Sequence, residues 1–151
     1  MTVPVRAATI ADVDAVMVIE RASFPTDAWS ESAMREAFEG GDAFVVEDAG
    51  EVIGYAALLA PDGSGDADVL TIAVGEAHRG EGLGAALLEH MLRTASDRGA
   101  TRVFLEVRAD NPIAQHLYDS RGFRVVGRRT RYYQPDGVDA IVMRLDLGGA
   151  R

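Results

Sequence analysis

The stretch of residues 69–95 constrains the fold more than any other part of the chain. It begins with the apolar run VLTIAV, continues with the loop GEAHRGEGLG and ends with AALLEHMLRTA. Apolar side chains towards its end recur at the spacing of one helix face: Leu83, Leu87, Leu88, Met91, Leu92 and Ala95. A run rich in β-branched residues followed by this period predicts a strand, a loop and a helix in direct succession.

The loop is suited to binding an anion, because glycines stand where it becomes the helix. Gly80, Gly82 and Gly84 allow close approach of a ligand to the backbone, and the first helical turn adds unpaired N–H donors and a partial positive charge. Arg79 adds a full positive charge, and phosphate is the usual anion at such a site. Two other interpretations stay open from the loop alone. One is a tight connection without a ligand, and the other is the dinucleotide fingerprint G-x-G-x-x-A, which ends at Ala85.

Length and composition indicate one ordinary globular domain. The 151 residues suffice for a single core, but they are too few for a nucleotide domain followed by a substrate domain. The absence of cysteine excludes disulfides and thiolate chemistry, and the three histidines lack the spacing of metal ligands. A net charge of −9 argues against nucleic-acid binding and either favours a cationic substrate or serves solubility. We expect no metal, no membrane contact, a cytoplasmic location because no export signal is present, and a monomer or weak homodimer.

Turn and cap residues divide the chain into successive elements. Helices are predicted after the caps Thr9, Ser30 and Asn111, and a further helix follows the glycine-rich loop. Strands are predicted at residues 3–7, 43–46, 52–59, 69–74, 102–108, 123–126 and 138–147. Residues 61–68 are predicted to form a loop and residues 132–137 a turn. This order predicts an α/β domain with a mixed, mostly antiparallel sheet at residues 1–147, followed by a frayed tail at 148–151.

A second stretch of the chain resembles a known family. Residues 105–123, LEVRADNPIAQHLYDSRGF, follow the pattern L-E-V-R-x-x-N-x-x-A-x-x-L-Y-x-x-x-G-F of bacterial ribosomal-protein alanine N-acetyltransferases of the RimI type. These enzymes form a branch of the GCN5-related N-acetyltransferase (GNAT) superfamily, whose signature Q/R-x-x-G-x-G/A resembles the loop from Arg79 to Gly84. The resemblance covers residues 3–147. It departs from the branch pattern F-P-W-S, because residues 26–28 separate Phe24-Pro25 from Trp29-Ser30.

The resemblance implies the GNAT fold, acetyl-CoA as co-substrate in a cleft beside the central strand, and roles for the matching residues. Ile72, Ala73 and Val74 would offer main-chain groups to the pantetheine arm, as an added strand does. The pyrophosphate would lie in the loop formed by Arg79, Gly80, Glu81, Gly82, Leu83 and Gly84. Asn111 would lie near the pantetheine end, Glu106 matches the general base of the family, and Tyr118 matches its general acid.

The residue types suit acetyl transfer from a thioester to an amine. The amine must lose a proton, and the leaving thiolate benefits from gaining one. Glu106 interrupts the apolar run VFLEV, where a carboxylate is expected to be shielded from water, and the phenol of Tyr118 can donate a proton to a thiolate. Tyr132 and Tyr133 are equally interpreted as lining a peptide groove or as packing residues.

Three further residues bear on where the amine that receives the acetyl group would bind. Trp29 is expected to anchor the first two helices. Glu20 and Asp27 are candidates for binding a substrate amine.

We therefore expect an enzyme that transfers acetyl from acetyl-CoA directly to the N-terminal α-amine of a protein, such as a ribosomal protein beginning with Ala. Acetylation of a small amine or a lysine side chain on the same scaffold is the alternative within enzymes. A non-catalytic acyl-CoA sensor is the alternative outside them.

Overall fold

The structure, a computed structural model, describes residues 4–148, in which helices lie on both faces of a seven-stranded sheet. The strands are β1 Val5–Ala7, β2 Asp42–Asp48, β3 Glu51–Leu59, β4 Asp66–Val74, β5 Arg102–Arg108, β6 Arg124–Tyr133 and β7 Val138–Asp146. The helices are α1 Val13–Ser23, α2 Glu31–Gly40, α3 Leu83–Asp97 and α4 Pro112–Ser120, with short 3₁₀ turns at Ile10–Asp12 and Glu76–His78. The predicted order of strands and helices is confirmed.

The sheet has the strand order β1-β2-β3-β4-β5-β7-β6. All neighbouring strands run antiparallel except β4 and β5, which are parallel. The predicted fold class, an α/β domain with a mixed and mostly antiparallel sheet, is therefore confirmed.

Strands β2 and β3 are buried on both faces, which explains their continuous apolar runs. Alternate side chains of a strand point to opposite faces. Val45 and Tyr55 pack with α1 and α2, whereas Phe44 and Leu58 belong to the larger core that includes Leu87 of α3. Helices α1 and α2 therefore cover one face of the sheet, and α3 covers the other.

Two of the three predicted caps, Ser30 and Asn111, begin their helices as expected, whereas Thr9 begins the 3₁₀ turn Ile10–Asp12 and α1 starts only after it. The Ser30 hydroxyl accepts a hydrogen bond from the Ala33 N–H at 3.1 Å, and the Asn111 side chain accepts one from the Ala114 N–H at the same distance. Each bond satisfies a backbone donor that the first helical turn leaves without a partner.

Two predicted element boundaries are wrong. Strand β4 begins at Asp66, inside the predicted loop, and β6 continues to Tyr133 where residues 127–131 suggested no strand. In the polar sequence GRRTR, residues 127–129 still pair with β7 before the register shifts. Polar residues are accommodated because β6 is an exposed edge strand whose arginines reach acidic residues of β7; Arg128 Nε lies 2.6 Å from Asp139. The predictions for residue 3 and the tail beyond residue 148 lie outside the described residues.

The sheet opens between β4 and β5. The two strands pair only from Asp66 opposite Arg102 to Asp68 opposite Phe104, after which β4 continues along β3 and β5 continues along β7. A bulge at Leu70 bends β4 just past this point, because Val69 and Thr71 oppose consecutive residues of β3. No helix within residues 4–148 has the length and apolar character needed to cross a membrane.

Candidate active site

A cleft of about 680 Å³ occupies the opening between β4 and β5. Its walls come from β4, β5, α4, the connection between α1 and α2, and the end of β6. The structure brings together here six residues predicted from the sequence: Ile72, Glu106, Asn111, Tyr118, Tyr132 and Tyr133. A second cleft of about 410 Å³ shares Val69, Leu70, Leu105 and Glu106 with the first, so the two meet where the strands separate.

Glu106 lies on β5 at this junction and is less shielded than its apolar neighbours suggested. Its side chain is 28% exposed, and its carboxylate forms an ion pair with the guanidinium of Arg129 on β6. The pKa of Tyr132 is raised by partial burial and by the negative charge of Glu106. The carboxylate therefore faces both a cation and a phenol at the edge of the cleft.

Tyr118 lies on α4 and is almost fully buried, with 6% of its surface exposed. Its ring meets Phe123 edge-on, with 5.8 Å between the ring centres. Burial, with a smaller effect from Tyr133, raises the pKa of the Tyr118 hydroxyl well above its usual value. The phenol therefore keeps its proton at neutral pH.

The glycine-rich loop lies beyond the cleft at the end of β4. Gly80 and Gly82 both have φ of +82°, and a Cβ built on either would meet no heavy atom within 4 Å. The space above their backbone is therefore open at the N-terminus of α3. Gly84 follows within the helix, facing Leu117, whereas the side chain of Leu83 is buried in the core, so Leu83 can offer a ligand only its backbone.

The charged side chains of the loop are engaged with neighbouring residues. Arg79 Nε donates to the Val74 carbonyl at 3.1 Å, and its Nη2 donates to the Ser23 hydroxyl at 3.3 Å. The exposed Glu81 faces His78 at 3.4 Å. The Arg79 guanidinium thus joins the loop to β4 and α1 while remaining at the surface.

The backbone edge of β4 that faces the cleft has no strand partner beyond Asp68 among residues 4–148. Ile72, Ala73 and Val74 lie on this part of β4 and pair only with β3 on the other side. An extended ligand could therefore add to this edge through main-chain hydrogen bonds.

A cluster around Arg108 at the mouth of the cleft was not predicted from the sequence. The guanidinium lies 3.4 Å from Asp27, 2.9 Å from Asp110 and 2.5 Å from Asp136, and it stacks 5.2 Å from the ring centre of Tyr133. Hydrogen bonds from Arg108 hold the pKa of Asp110 and Asp136 below its usual range. No short-range pattern indicated this cluster, because its partners come from three separate connections.

The cluster joins two connections that flank the mouth of the cleft. Asp27 belongs to the connection between α1 and α2, and Asp136 belongs to the turn between β6 and β7. The Thr26 hydroxyl also donates to Asp136 at 3.1 Å. Asp27, a candidate for binding an amine, is therefore already paired with a cation of the protein.

The two remaining candidates from the sequence, Trp29 and Glu20, both contact other residues at the cleft. Trp29 packs against the core shared by α1 and α2, as predicted, and also lines both clefts. Glu20 is buried at the base of the cleft and accepts hydrogen bonds from the protein. Within residues 4–148, no group of three or more His, Asp or Glu residues is arranged to hold a metal ion.

We predict that none of the four tyrosines ionises near pH 10 in the folded protein. Burial raises the pKa of each, that of Tyr133 to about 12. Above pH 10 the unfolded chain loses phenolic protons that the folded protein keeps, so the free energy of unfolding should fall as pH rises. Tyr118→Phe should reduce this slope by up to about 1.4 kcal/mol per pH unit.

The chain contains no lysine and no cysteine, so absorbance at 295 nm and denaturant unfolding report these phenols without interference. Formation of tyrosinate near pH 10, with circular dichroism unchanged, would contradict the expectation.

Comparison with known proteins tests the family resemblance independently of the geometry of the cleft. Residues 13–123 match the profile of the acetyltransferase (GNAT) family. The chain is 45% identical over 101 residues to N-alpha-acetyltransferase RimI of Mycobacterium tuberculosis, covering 66% of this chain and 62% of that protein. It is 39% identical over 141 residues to a Mycobacterium leprae protein, covering 90% of this chain and 38% of that protein. The chain thus spans less than two thirds of the length of each of these two relatives.

A solved structure agrees over almost the whole chain. The crystal structure of the ribosomal-protein-S18-alanine N-acetyltransferase from Escherichia coli superposes with a TM-score of 0.86 at 31% identity, covering 99% of this chain and 97% of that one. The family resemblance noted in the sequence is therefore confirmed, and the chain belongs to the acetyltransferase (GNAT) family.

Proposed function

We propose that the protein is an acetyl-CoA-dependent N-acetyltransferase that modifies the N-terminal α-amine of a protein. The observation that carries this proposal is that Glu106 and Tyr118 line one cleft at the open edge of β4. A ribosomal protein beginning with Ala is the proposed acceptor, supported by the E. coli structure, whose name states that activity. Action in the cytoplasm, where ribosomal proteins are made, follows from the same proposal.

The residues of the loop and of β4 fit acetyl-CoA. The open backbone at Gly80 and Gly82, next to the positive end of α3, suits a pyrophosphate. The pantetheine arm, an extended chain with two amides, matches the free edge of β4 at Ile72, Ala73 and Val74. Asn111 begins α4 beside this edge, so it contributes to the pantetheine end chiefly by fixing the start of that helix.

The opposite side of the cleft fits an unstructured peptide end. Tyr132 and Tyr133 form one wall, and Trp29 with its connection forms the other. Aromatic walls bind an extended peptide with little loss of side-chain entropy. The carboxylate of Glu106 between them favours the approach of an ammonium group.

We assign the proton transfers to Glu106 and Tyr118. Glu106 takes one proton from the acceptor ammonium, directly or through water, and passes it to solvent. The amine nitrogen then bonds to the thioester carbon, and the carbon–sulfur bond breaks. Tyr118 protonates the leaving sulfur and recovers a proton from the nitrogen that has become an amide. Arg129 holds the Glu106 carboxylate in place throughout.

The acceptor is tested with two peptides of the same sequence. A peptide with a free N-terminal Ala should be acetylated, whereas the same peptide blocked at its N-terminus but containing internal lysine should react far more slowly. Mass spectrometry locates the acetyl group, and release of CoA gives the rate. Equal rates would move the function to lysine acetylation, and acetyl-CoA binding without CoA release would make the protein a sensor.

The loop assignment is tested by introducing Asp at either end of α3. Gly82 and Gly99 have φ of +82° and +85°, and neither has a heavy atom within 4 Å of a built Cβ. The two substitutions therefore introduce similar backbone strain, at opposite ends of a 15-residue helix that is roughly 22 Å long. Gly82→Asp should weaken acetyl-CoA binding about tenfold or more, by blocking the backbone and repelling phosphate, while Gly99→Asp should not.

Calorimetry measures both affinities, and thermal unfolding confirms that the variants fold. Equal affinity of the two folded variants for acetyl-CoA would remove the loop from the binding site.

The catalytic assignments predict different kinetic losses. Glu106→Gln keeps the shape but removes the basicity, so kcat/KM should fall roughly 10²–10⁴-fold, and the loss should shrink at high pH where free amine is abundant. Tyr118→Phe should lower kcat by a smaller factor and leave acetyl-CoA affinity nearly unchanged, because its proton is needed only in the transition state. Near-normal activity of folded Glu106→Gln at neutral pH would reject Glu106 as the base.

A further inference from the structure

Glu20 is a buried carboxylate that the proposed chemistry does not use. It lies on α1 at the base of the first cleft, and only 1% of its surface is exposed. A carboxylate in such a place is strongly destabilising unless the protein supplies donors for its oxygens.

Three donors from three different elements surround this carboxylate. Its Oε1 accepts from the hydroxyl of Tyr55 on β3 and, at 3.3 Å, from the hydroxyl of Thr71 on β4. Its Oε2 accepts from the backbone N–H of Trp29 at 3.0 Å. Both oxygens are thus engaged by the protein, which leaves the group unsuited to taking a proton from a substrate.

The two oxygens of Glu20 contact different sides of the cleft, β4 through Thr71 and the connection between α1 and α2 through Trp29. Thr71 directly follows the bulge at Leu70, where β4 leaves β5. Trp29 ends the connection that begins at Phe24 and forms one wall of the acceptor side. At the mouth of the cleft this wall is held by Arg108 through Asp27. At its base, the bond from Trp29 to Glu20 joins it to the carboxylate that Thr71 also contacts.

We propose that Glu20 is a positioning residue. It holds the connection from Phe24 to Trp29, the acceptor wall, against β4 and thereby determines the affinity for the acceptor. The proposal rests on the proposed acetyl transfer for its kinetic consequence, but its structural consequence is independent of that function. Loss of the hydrogen bond from the Trp29 N–H to Glu20, the Trp29 tether, should raise KM for the acceptor. It should leave kcat and acetyl-CoA affinity nearly unchanged, because Glu20 is hydrogen-bonded to β4 through the Thr71 hydroxyl and not through the backbone of Ile72, Ala73 and Val74 or the loop.

The test compares the loss of the tether with the loss of a hydroxyl in the same cluster. Glu20→Met removes the carboxylate that accepts the hydrogen bond of the Trp29 N–H. KM for the peptide should rise about tenfold, because the wall loses a buried hydrogen bond of about 1.4 kcal/mol that keeps it in the binding position. Tyr55→Phe removes one donor to the same carboxylate but keeps the tether, so the variant should be less stable with KM nearly unchanged. If Glu20 had only a structural role, KM would rise in proportion to the loss of stability in both Glu20→Met and Tyr55→Phe.

Glu20→Gln provides the conservative rescue. The amide can turn so that its oxygen accepts from the Trp29 N–H while its NH₂ group faces the hydroxyls of Tyr55 and Thr71, which can rotate to accept. We expect KM within about twofold of the original protein, a difference of about 0.4 kcal/mol. If Glu20→Met folds poorly, combining it with Tyr55→Phe and Thr71→Val replaces the polar cluster by apolar groups but still leaves the Trp29 N–H without its acceptor.

Fluorescence separates this proposal from the proposed function, because Trp29 is the only tryptophan of the chain. Acrylamide should quench Trp29 more strongly in Glu20→Met than in Tyr55→Phe or Glu20→Gln, whether or not any peptide is acetylated. If quenching and KM are unchanged in folded Glu20→Met, or change equally in Tyr55→Phe, Glu20 does not position the wall. If quenching changes as expected but no peptide is acetylated, the proposed function fails and the tether stands.

Discussion

The separation of β4 from β5 after three paired residues is the constraint on which the site depends. Each strand keeps a partner on its outer side, β3 for β4 and β7 for β5, so the sheet opens without losing its continuity. The inward edges beyond Asp68 then hold backbone donors and acceptors that sheet pairing does not use. The bulge at Leu70 directs β4 away at the same point. The open edge is therefore a result of strand pairing rather than of any single side chain.

The two sides of the opening are built by different means. The side proposed to bind acetyl-CoA uses backbone: the free edge of β4, the loop at Gly80 and Gly82, and the start of α3, all contiguous in the chain. The side proposed to bind the acceptor uses side chains from the connection between α1 and α2, from β5 and from the end of β6. Backbone hydrogen-bonding groups are the same for every residue type, so this side keeps them when side chains that point away from it change. On the acceptor side, a substitution alters the groups that would contact the acceptor.

This difference explains what could be predicted from the sequence. The order of elements followed from local signals, such as the caps Ser30 and Asn111 and the glycines at turns, whose effect reaches only a few residues. Glu106 and Tyr118 could be proposed from the sequence because they belong to one continuous pattern, and the structure places both at the cleft. The clusters of Glu20 and Arg108 were missed because their partners lie up to 51 and 81 residues away along the chain (Glu20 to Thr71, Arg108 to Asp27). The full length of β6 was also missed, because an exposed edge strand needs no alternating apolar pattern.

The departure from the F-P-W-S pattern adds residues to the acceptor wall at its points of attachment, which are Asp27 within the added residues and Trp29 directly after them. Residues 26–28 are the added segment, and they use their own polar groups to stay in place: Thr26 donates to Asp136, and Asp27 pairs with Arg108. The backbone N–H of Trp29, directly after the segment, is bonded to Glu20. An insertion held at both ends changes the shape of the wall without freeing it. Under the proposed reaction, the preference for the first residues of the acceptor should therefore differ from that of enzymes with the shorter pattern, because the added residues lie on the acceptor wall and not on the backbone side proposed to hold acetyl-CoA.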